Sequence, residues 1–437
     1  MKGSLILFIA LLALVANNCK EESPTNLLPP PELQRQVQLT LLDAHTQELW
    51  LQLSLPDTFS GRTIRLFRNN HLIKTFSVAG SDTLVLDSLL TPNQQYIYRV
   101  ERVLDTVRLA VAELVCATLP ITTRNFIWEV DTLGATMTHL YDVAVIHDSL
   151  IYVVGEIYLR DSLGQTDPTP YNLAIWNGQR WAFKKIFYSG NLIITSIRGI
   201  YVSKPNEIWL AGGSLFRWDG QSSHAPLVFS RLTLPSPNAT VEKLWGNSPS
   251  NVYGVGNAGT ILHYNGLEWR RVETGSTATL WDIWGINTEI YACGFRNSPP
   301  PAESILLKLT GDRVQALPLP PNFTPRALWF SNPHRLFIHN SRAGRTIVKR
   351  ADSSWIQMSP HATQASITSL RGINANDIFG VGSRRIEHYN GETWATLNVG
   401  TIPDVFRACD YRSRTMCAVG SVGSFNTRGI VVRVRRP

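Results

Sequence analysis

The chain of 437 residues is 44% hydrophobic and 17% charged, and its formal net charge is +8. This length allows two or three domains, and the apolar fraction is large enough to form real hydrophobic cores. The positive charge is spread along the chain instead of forming a basic stripe with interleaved aromatic residues, so the composition argues against nucleic-acid binding. We interpret the charge as a source of solubility or of attraction to anionic glycans and surfaces.

The first 18 residues have the pattern of a secretory signal peptide. The basic start Met1-Lys2 is followed by an unbroken apolar run from Leu5 to Val15, which is too short to span a bilayer as a mature helix. The residues up to Cys19 resemble a bacterial lipoprotein signal, in which cleavage leaves a lipid-modified cysteine at the new N-terminus. The following Lys20-Glu21-Glu22 resembles the surface-export signal of Bacteroidota lipoproteins. The resemblance implies lipid attachment at Cys19 and a surface-exposed outer-membrane lipoprotein of the bacterial cell envelope; the alternative is a secreted protein with a free Cys19.

Residues 19–34 contain a Leu-Leu-Pro-Pro-Pro segment and little hydrophobic periodicity. Such a composition is typical of an extended tether, which would hold the folded part off the membrane. No later stretch is apolar for long enough to span a bilayer, so the N-terminal lipid is the predicted membrane contact.

Residues 35–120 show seven short strand-like runs with frequent turn signals, which predicts a β-sandwich. The pattern Leu90-x-Pro92-x-x-x-Tyr96-x-Tyr98-x-Val100 resembles the fibronectin type III signature. This resemblance implies that the hydroxyl of Tyr96 bonds back to nearby backbone. The tryptophan that such domains carry in their second strand has no clear counterpart, because Leu53 takes its place and Trp50 falls on the opposite face of the strand.

Residues 121–437 contain a repeat whose clearest mark is a short branched and aromatic run that ends in glycine. The second residues of the seven copies are, in chain order, Tyr152, Trp209, Tyr253, Tyr291, Phe337, Phe379 and Cys417. Several copies continue into an Asn-Gly turn followed by tryptophan, as in Asn265-Gly266 before Trp269. An Asn-Gly pair between β-prone runs predicts a hairpin in which both turn residues have positive φ.

Each unit therefore reads as about four antiparallel strands, and radial packing of seven such units predicts a seven-bladed β-propeller. The stretch LWGNSPSNVYGVGNAGTILHYNGLEW resembles the propeller repeats of the BNR and photosystem-assembly-factor groups, which serve many roles. The last unit lacks a fourth strand, and an orphan segment Phe126–Val130 precedes the first unit. We expect this segment to complete the seventh blade, with Trp128 in the place that Trp181, Trp269 and Trp394 hold elsewhere.

The predicted ligand-binding residues form a row on the strand that precedes each mark. They are Arg198, Trp245, Trp284, Trp329 and Arg371. If this strand lines the central channel, the row presents aromatic and guanidinium groups that suit stacking on sugars or binding of acidic groups. The alternative is that the tryptophans pack between neighbouring blades. Asp282 and Asp410 near the row are read as solvated or capping acids.

Two classes of function follow. The first is a monomeric, non-enzymatic binding lipoprotein that uses the propeller as a platform for a protein or glycan ligand. The second is a cell-envelope carbohydrate-active enzyme of the sialidase type, because the Gly-x-x-Trp hairpin resembles part of the Asp-box. That motif is structural in those enzymes, and the repeats offer no pair of placed carboxylates, so no catalytic residue, metal or cofactor is predicted.

The four cysteines beyond Cys19 show neither a C-x-x-C pair nor a Cys/His ligand spacing. Cys409 and Cys417 could meet across adjacent strands, and a disulfide is permitted in an envelope compartment. Small buried thiols are the preferred interpretation.

Overall fold

The computed structural model describes residues 37–437 except for 55–62, 78–81, 105–106, 191, 195, 235–238, 299, 359–365, 401–403 and 424–426. The predicted signal peptide, the predicted tether and Cys19 lie outside the described residues. Within them the fold is almost entirely β, and no helix there combines the length and apolarity needed to cross a bilayer. The strands form an N-terminal unit and a ring of sheets.

The N-terminal unit consists of two antiparallel sheets that enclose one core. The three-stranded sheet has the order β1-β2-β5 and the four-stranded sheet the order β4-β3-β6-β7. The strands are β1 Gln38–Ala44, β2 Glu48–Ser54, β3 Thr63–Arg68, β4 His71–Ser77, β5 Asp82–Ser88, β6 Gln95–Leu104 and β7 Val107–Ala117. Alternation along β2 buries Leu51 and Leu53 in this core, while Trp50 faces the ring, where the Arg350 guanidinium lies 6.0 Å from its ring centroid.

Two local features of this unit follow from its sequence. The Tyr96 hydroxyl accepts a hydrogen bond from the Thr91 N–H at 2.9 Å, which is the backbone contact expected of this tyrosine. Asn69 and Asn70 join β3 to β4 with φ values of 46° and 67°, so both residues of this tight turn occupy the left-handed region that asparagine tolerates.

The ring consists of seven four-stranded antiparallel sheets, which we call blades 1 to 7. Blades 1 to 3, from the inner strand outwards, are β9 His139–His147, β10 Leu150–Ile157, β11 Tyr171–Trp176, β12 Trp181–Lys184; β15 Gly199–Lys204, β16 Glu207–Gly212, β17 Ser214–Trp218, β18 Leu227–Phe229; and β19 Val241–Ser248, β20 Asn251–Gly256, β21 Ile261–Tyr264, β22 Trp269–Arg271. A two-stranded sheet, β13 Phe187–Ser189 and β14 Leu192–Ile193, and a 3-10 turn, Arg231–Thr233, lie in the connections.

Blades 4 to 7 are β23 Thr279–Ile286, β24 Glu289–Arg296, β25 Glu303–Thr310, β26 Arg313–Ala316; β27 Pro325–Asn332, β28 Arg335–Asn340, β29 Arg345–Lys349, β30 Trp355–Gln357; β31 Ile367–Asn374, β32 Asp377–Gly382, β33 Arg385–Tyr389, β34 Trp394–Leu397; and β35 Val405–Arg412, β36 Thr415–Val422, β37 Arg428–Arg435, β8 Ile127–Leu133. Each inner strand contacts the inner strands of both neighbouring blades, including β35 with β9. The ring is therefore closed, with the architecture of a seven-bladed β-propeller.

The two ends of the propeller meet in blade 7, as the sequence predicted. Strand β8 pairs antiparallel with β37, and Trp128 lies opposite Val434 in the register position that Trp181, Trp269 and Trp394 occupy in their blades. Trp128 remains 44% exposed. This pairing covers the edge of β37 and gives blade 7 the same four strands as the other blades.

The Asn-Gly hairpins differ from the prediction in one respect. Gly178, Gly266 and Gly391 have φ values of 91°, 94° and 99°, but the preceding asparagines are not in the positive-φ region. Each asparagine side chain instead accepts hydrogen bonds from the backbone N–H groups two and three residues later, as Asn265 does from Leu267 and Glu268. The asparagine is selected as a side-chain cap of a wider turn, so the expectation of positive φ at both residues was wrong.

Six of the seven marks end in glycine, and the mark in blade 5 ends in Asn340. A Cβ at Gly256 would lie 1.8 Å from the carbonyl oxygen of Thr240 on the inner-strand side, and one at Gly382 would lie 1.9 Å from that of Ser366. At these two positions a side chain would displace the inner strand. The four described cysteines are buried and free, which agrees with the preferred interpretation of small buried thiols; burial raises the pKa of Cys409 to about 11.

The N-terminal unit is fixed to blade 5 by a charged contact that we call the joint. Arg335 lies at the start of β28 and is 3% exposed. Its Nε donates to Asp43 at 2.6 Å and its Nη2 to Glu48 at 3.1 Å, and Arg350 also pairs with Glu48. All four charged groups are thus paired across the two parts of the protein, which is the condition for burying charge without a large cost.

Neutral hydrogen bonds surround this contact. The Thr46 hydroxyl donates to the Gly391 carbonyl at 2.6 Å, and the Asn376 amide donates to the Pro120 carbonyl at 2.6 Å. Asn332, at the end of β27, donates to the Leu42 carbonyl at 2.6 Å. The N-terminal unit therefore contacts two kinds of hairpin in blades 5 and 6. One joins the inner strand to the second strand, and the other joins the third strand to the outer strand.

Candidate binding site in the central channel

Each inner strand carries one extra residue near its start, and this residue points into the central channel. In six blades the pairing between the inner and second strands skips one inner-strand residue, for example Glu242 between Val241 and Lys243. In blade 2 the equivalent residue is Arg198, whose N–H donates to the Ala211 carbonyl at 2.6 Å just before β15 begins. A β-bulge of this kind redirects a side chain out of the sheet pattern.

The seven bulged residues surround one end of the channel, and we call them the mouth ring. They are, from blade 1 to blade 7, Tyr141, Arg198, Glu242, Trp281, Arg326, Thr368 and Arg407. All seven line a cavity of about 110 Å³. The ring carries three guanidinium groups and one carboxylate, so this end of the channel is cationic.

The aromatic members of the mouth ring hold its guanidinium groups in place. The Arg326 guanidinium lies 3.7 Å from the ring centroid of Trp281. Tyr141 is approached from both neighbouring blades, by Arg198 at 5.4 Å and by Arg407 at 5.3 Å. Cation–π contacts at these distances stabilise and orient the cations.

The three arginines of the mouth ring differ in whether a carboxylate balances their charge. Arg198 donates to both carboxylate oxygens of Glu242 at 3.1 Å; burial alone would lower the pKa of Arg198, but this ion pair raises it. For Arg326 and Arg407, no acidic partner is found among the residues that the structure describes. Burial lowers the pKa of Arg326 to about 10, and repulsion from Arg407 acts in the same direction. The charge of the nearby Asp282 opposes this shift, although its carboxylate is paired with Arg371. Arg326 and Arg407 are therefore the two mouth cations without an ion pair of their own among the described residues.

Below the mouth ring, the acidic groups of the channel wall are already used to link blades. Asp282 is 2% exposed, is paired with Arg371 at 2.8 and 3.0 Å, and accepts the Leu328 N–H. Asp142 accepts the Ile200 N–H and pairs with Lys243 at 2.5 Å. Burial raises the pKa of Asp142, while Lys243 opposes this shift. Of the two interpretations that the sequence offered for Asp282, solvated or capping, the structure shows the capping one, because its carboxylate accepts backbone N–H groups and links blades 4, 5 and 6.

Asp410 plays a similar linking role in blade 7. Its carboxylate accepts the Val145 N–H of blade 1 at 2.8 Å and lies 3.4 Å from Arg412. It is 8% exposed, so it is a capping group of the kind the sequence predicted.

The structure separates the predicted row of site residues into two levels. Trp245, Trp284, Trp329 and Arg371 are equivalent, since each lies opposite the second residue of its own mark. Arg198 does not belong to this row; Tyr201 lies opposite Trp209 in its place. The predicted equivalence of Arg198 with the row was therefore wrong, because Arg198 lies three positions before Tyr201.

The tryptophans of the row pack against the next blade. Trp329 is 1% exposed and covers Gly372, where a Cβ would lie 2.8 Å from its Cη2 atom. Trp245 is 8% exposed and covers Gly285 in the same way, at 2.7 Å. The half-buried Trp284 donates from Nε1 to the Phe330 carbonyl at 2.9 Å, with Arg371 at 4.9 Å from its ring. This is the packing arrangement that the sequence left open as an alternative.

Three residues of the row, Trp245, Trp284 and Arg371, line a second cavity of about 240 Å³ at the opposite end of the channel, and Trp329 does not. Lys243 lines both cavities and so lies between the two ends. At this level the guanidinium of Arg371 is already paired, and the tryptophan faces are largely covered. The geometry therefore makes the mouth ring the better candidate site.

Sequence reasoning found Arg198 and missed the other six mouth-ring residues. They share no residue type, so they carry no compositional signature. They do share a spacing, because each lies 10 or 11 residues before the second residue of its mark. The glycine mark, which permits the close approach of the inner strand beside the bulge, is the signal that could have revealed them.

Other chemistry is scarce near the channel. No group of three or more His, Cys, Asp or Glu residues in the described ranges has the arrangement of a metal site. In the mouth, Glu242 is paired with Arg198 and Asp282 with Arg371, so neither is a free acid or base. The arrangement suits binding of an anion rather than acid–base catalysis.

Comparison with known proteins identifies the fold of this chain but assigns it to no family. No family model matches the chain, and no curated protein matches it. A solved structure of YCF48 bound to D1 peptide aligns with a TM-score of 0.53 and 16% identity, over 70% of this chain and 96% of that one. Virginiamycin B lyase from Staphylococcus aureus, in a catalytically inactive form with quinupristin, aligns with a TM-score of 0.54 and 10% identity, over 71% of this chain and 99% of that one. These similarities show a shared β-propeller fold.

Proposed function

We propose that this protein is a non-enzymatic binding protein of the bacterial cell envelope that takes an acidic ligand at the mouth ring. The observation that carries the proposal is the pair of guanidinium groups, Arg326 and Arg407, that bulges direct into one small cavity without an acidic partner in the described part of the chain. Guanidinium groups without an ion pair of their own, with Arg326 half-buried and Arg407 exposed at the opening, favour an anionic partner.

A protein segment fits the mouth better than a stacked sugar. The Trp281 ring is covered by Arg326, and Tyr141 is flanked by Arg198 and Arg407. The aromatic faces that a sugar would need are thus already in use, while the guanidinium groups are available. The YCF48 structure, which holds a D1 peptide, adds that a propeller of this fold can take a peptide.

The N-terminal unit leaves this mouth open. Arg326 and Asn332 lie near opposite ends of β27, which places them about 20 Å apart along an extended strand. Since Asn332 contacts the N-terminal unit, that unit lies on the opposite face of the ring from the mouth. We propose that residues 35–120 form a fibronectin type III-like domain and that a lipid on Cys19 anchors the chain, so that the mouth points away from the membrane.

The binding role is tested by capture of partners from cell-envelope extracts on the purified chain. We expect capture of an acidic protein that is weakened by salt, because screening acts strongly on exposed charges, and that is lost when Arg326 and Arg407 are both changed to Gln. The matched control is Arg313→Gln, an exposed arginine on an outer strand far from the channel. Turnover of a glycan library that depends on one carboxylate would instead establish the alternative, a carbohydrate-active enzyme.

The anchor is tested separately by fractionation. Cys19→Ala should move the protein from the membrane to the soluble fraction, because stable anchoring needs the combined acyl chains of a lipoprotein. Unchanged fractionation of this variant would contradict the lipid anchor without bearing on the mouth ring.

A further inference from the structure

The mouth ring has a gap between two of its three cations. Blade 6 contributes only Thr368 to the ring, between Arg326 of blade 5 and Arg407 of blade 7. On this side the cavity is also lined by Ser369 and by residues 405–408 next to Arg407, and on the other side by Lys243 and Asp282, both of which are already paired. The Thr368 hydroxyl lies 2.7 Å from the Phe406 carbonyl and 3.0 Å from that of Val381, so it stays against the wall and leaves the gap open.

The third cation is held away from this gap. Arg198 lies in blade 2 and is bound through both oxygens of Glu242 in blade 3. Thr240 adds a hydrogen bond to the same carboxylate at 2.7 Å, which fixes the position of Glu242. The mouth therefore consists of a neutralised half, in blades 2 and 3, and a cationic half, in blades 5 to 7.

Resting on the proposed function, we infer that the gap between Arg326 and Arg407 binds one carboxylate group of an acidic peptide. Glu242 makes the site specific for a single carboxylate, because it keeps Arg198 in an ion pair. A planar carboxylate accepts hydrogen bonds from two guanidinium groups that approach from either side. A fixed ion pair on the other half of the mouth limits the site to one such group, because a second carboxylate there would meet Glu242 and be repelled.

The test uses acetylated, amidated tetraglutamate as the probe, with tetraglutamine as the uncharged comparison, and measures affinity for the full chain by calorimetry. Arg326→Gln and Arg407→Gln should each weaken tetraglutamate binding about tenfold, as expected for loss of one charge-assisted hydrogen bond. Arg198→Gln should weaken it by only about threefold, because it removes no ligand contact but leaves the carboxylate of Glu242 unpaired in the same mouth. Glu242→Gln should strengthen binding by roughly threefold or more, because it releases Arg198.

Several outcomes would overturn the inference. Equal losses for Arg198→Gln and Arg326→Gln would show that all three cations bind, while leaving the binding role of the mouth intact. Tighter binding of tetragalacturonate with the same arginine dependence would replace the peptide by an acidic glycan. Thermal unfolding of each variant, together with Arg326→Lys and Arg407→Lys, which keep the charge and should retain part of the affinity, excludes loss of binding through misfolding.

Discussion

The joint and the mouth ring use the same residue type for opposite purposes. At the joint, Arg335 is 3% exposed and contacts two carboxylates, Asp43 and Glu48, from the N-terminal unit. At the mouth, Arg326 is half-buried, rests on Trp281 and has no acidic partner among the described residues. A buried arginine with complementary acids stabilises a contact within the fold. One without them is a cost to folding that is recovered when a ligand brings the missing charge.

The difference has a local structural cause. Arg335 at the start of β28 and Arg350 just after β29 lie where the N-terminal unit supplies Asp43 and Glu48. Arg326 and Arg407 lie on bulges at the mouth, outside the regular cross-strand pattern, where no such unit supplies an acid among the described residues. Replacing an arginine at the joint should therefore lower the free energy of unfolding, and replacing one at the mouth should leave it unchanged or slightly raised.

The largest effect is expected at the joint. Arg335→Ala leaves the buried Asp43 without its counter-charge and Glu48 with Arg350 alone, and should lower the free energy of unfolding by about 3–5 kcal/mol. Urea denaturation followed by tryptophan fluorescence measures this loss. Trp50, which faces the ring next to Arg350, makes separation of the two parts visible.

A matched double variant sharpens this result. Arg335→Met combined with Asp43→Asn removes both charges of the most deeply buried pair, and should recover a large part of the lost stability because no unpaired charge of that pair remains buried. A single variant that costs less than about 1 kcal/mol would contradict a structural role for the joint, since surface pairs have that value.

The second effect concerns the pH dependence of the joint. Burial lowers the pKa of His45 from 6.5 to about 3, and the charge of Arg335 acts in the same direction. Between these two values the unfolded chain takes up a proton that the folded chain does not. The free energy of unfolding should therefore fall as the pH drops below 6.5, by about 2 kcal/mol at pH 5 from this residue alone.

The measurement is the stability of the native chain and of His45→Gln from pH 7 to pH 5. The difference between the two should shrink by that amount, because the variant cannot take up the proton. Other groups, including Asp43, whose pKa burial raises, remain in both proteins and cancel. His71→Gln, at an exposed turn, is the control and should leave the pH dependence unchanged; parallel curves for His45→Gln and native protein would refute the assignment.

Much of the ring was predictable because its signals are local. The run that ends at Gly256 marks the second strand, and Gly266 marks a hairpin, since both positions require glycine. The pairing of Phe126–Val130 with the last blade followed from counting strands, and β8 begins at Ile127 within that segment. These features depend on local backbone geometry, which restricts the residue types allowed within a short stretch of sequence.

The site was not predictable in the same way. Glu242, Trp281 and Arg326 share a backbone position but no chemistry, so no residue pattern connects them. Their convergence depends on bulges in separate blades and on closure of the ring, which are properties of pairing register. Register also explains why Arg198 was placed with Trp245 although it lies three residues earlier in its strand.

The smallest effect is expected at the mouth, and its sign is the decisive part of the comparison. Because burial and Arg407 lower the pKa of Arg326 to about 10, its charge is less stable in the folded protein than in water. Arg326→Gln removes that cost but also the contact with Trp281, so the free energy of unfolding should stay within about 1 kcal/mol of the native value, on the side of a gain. Addition of tetraglutamate should stabilise the native chain against urea and leave the variant unaffected, because a ligand stabilises only the folded form that binds it. A loss of several kcal/mol in the variant, comparable with that of Arg335→Ala, would mean that Arg326 is a structural residue and that the two regions do not differ in the way their charges are used.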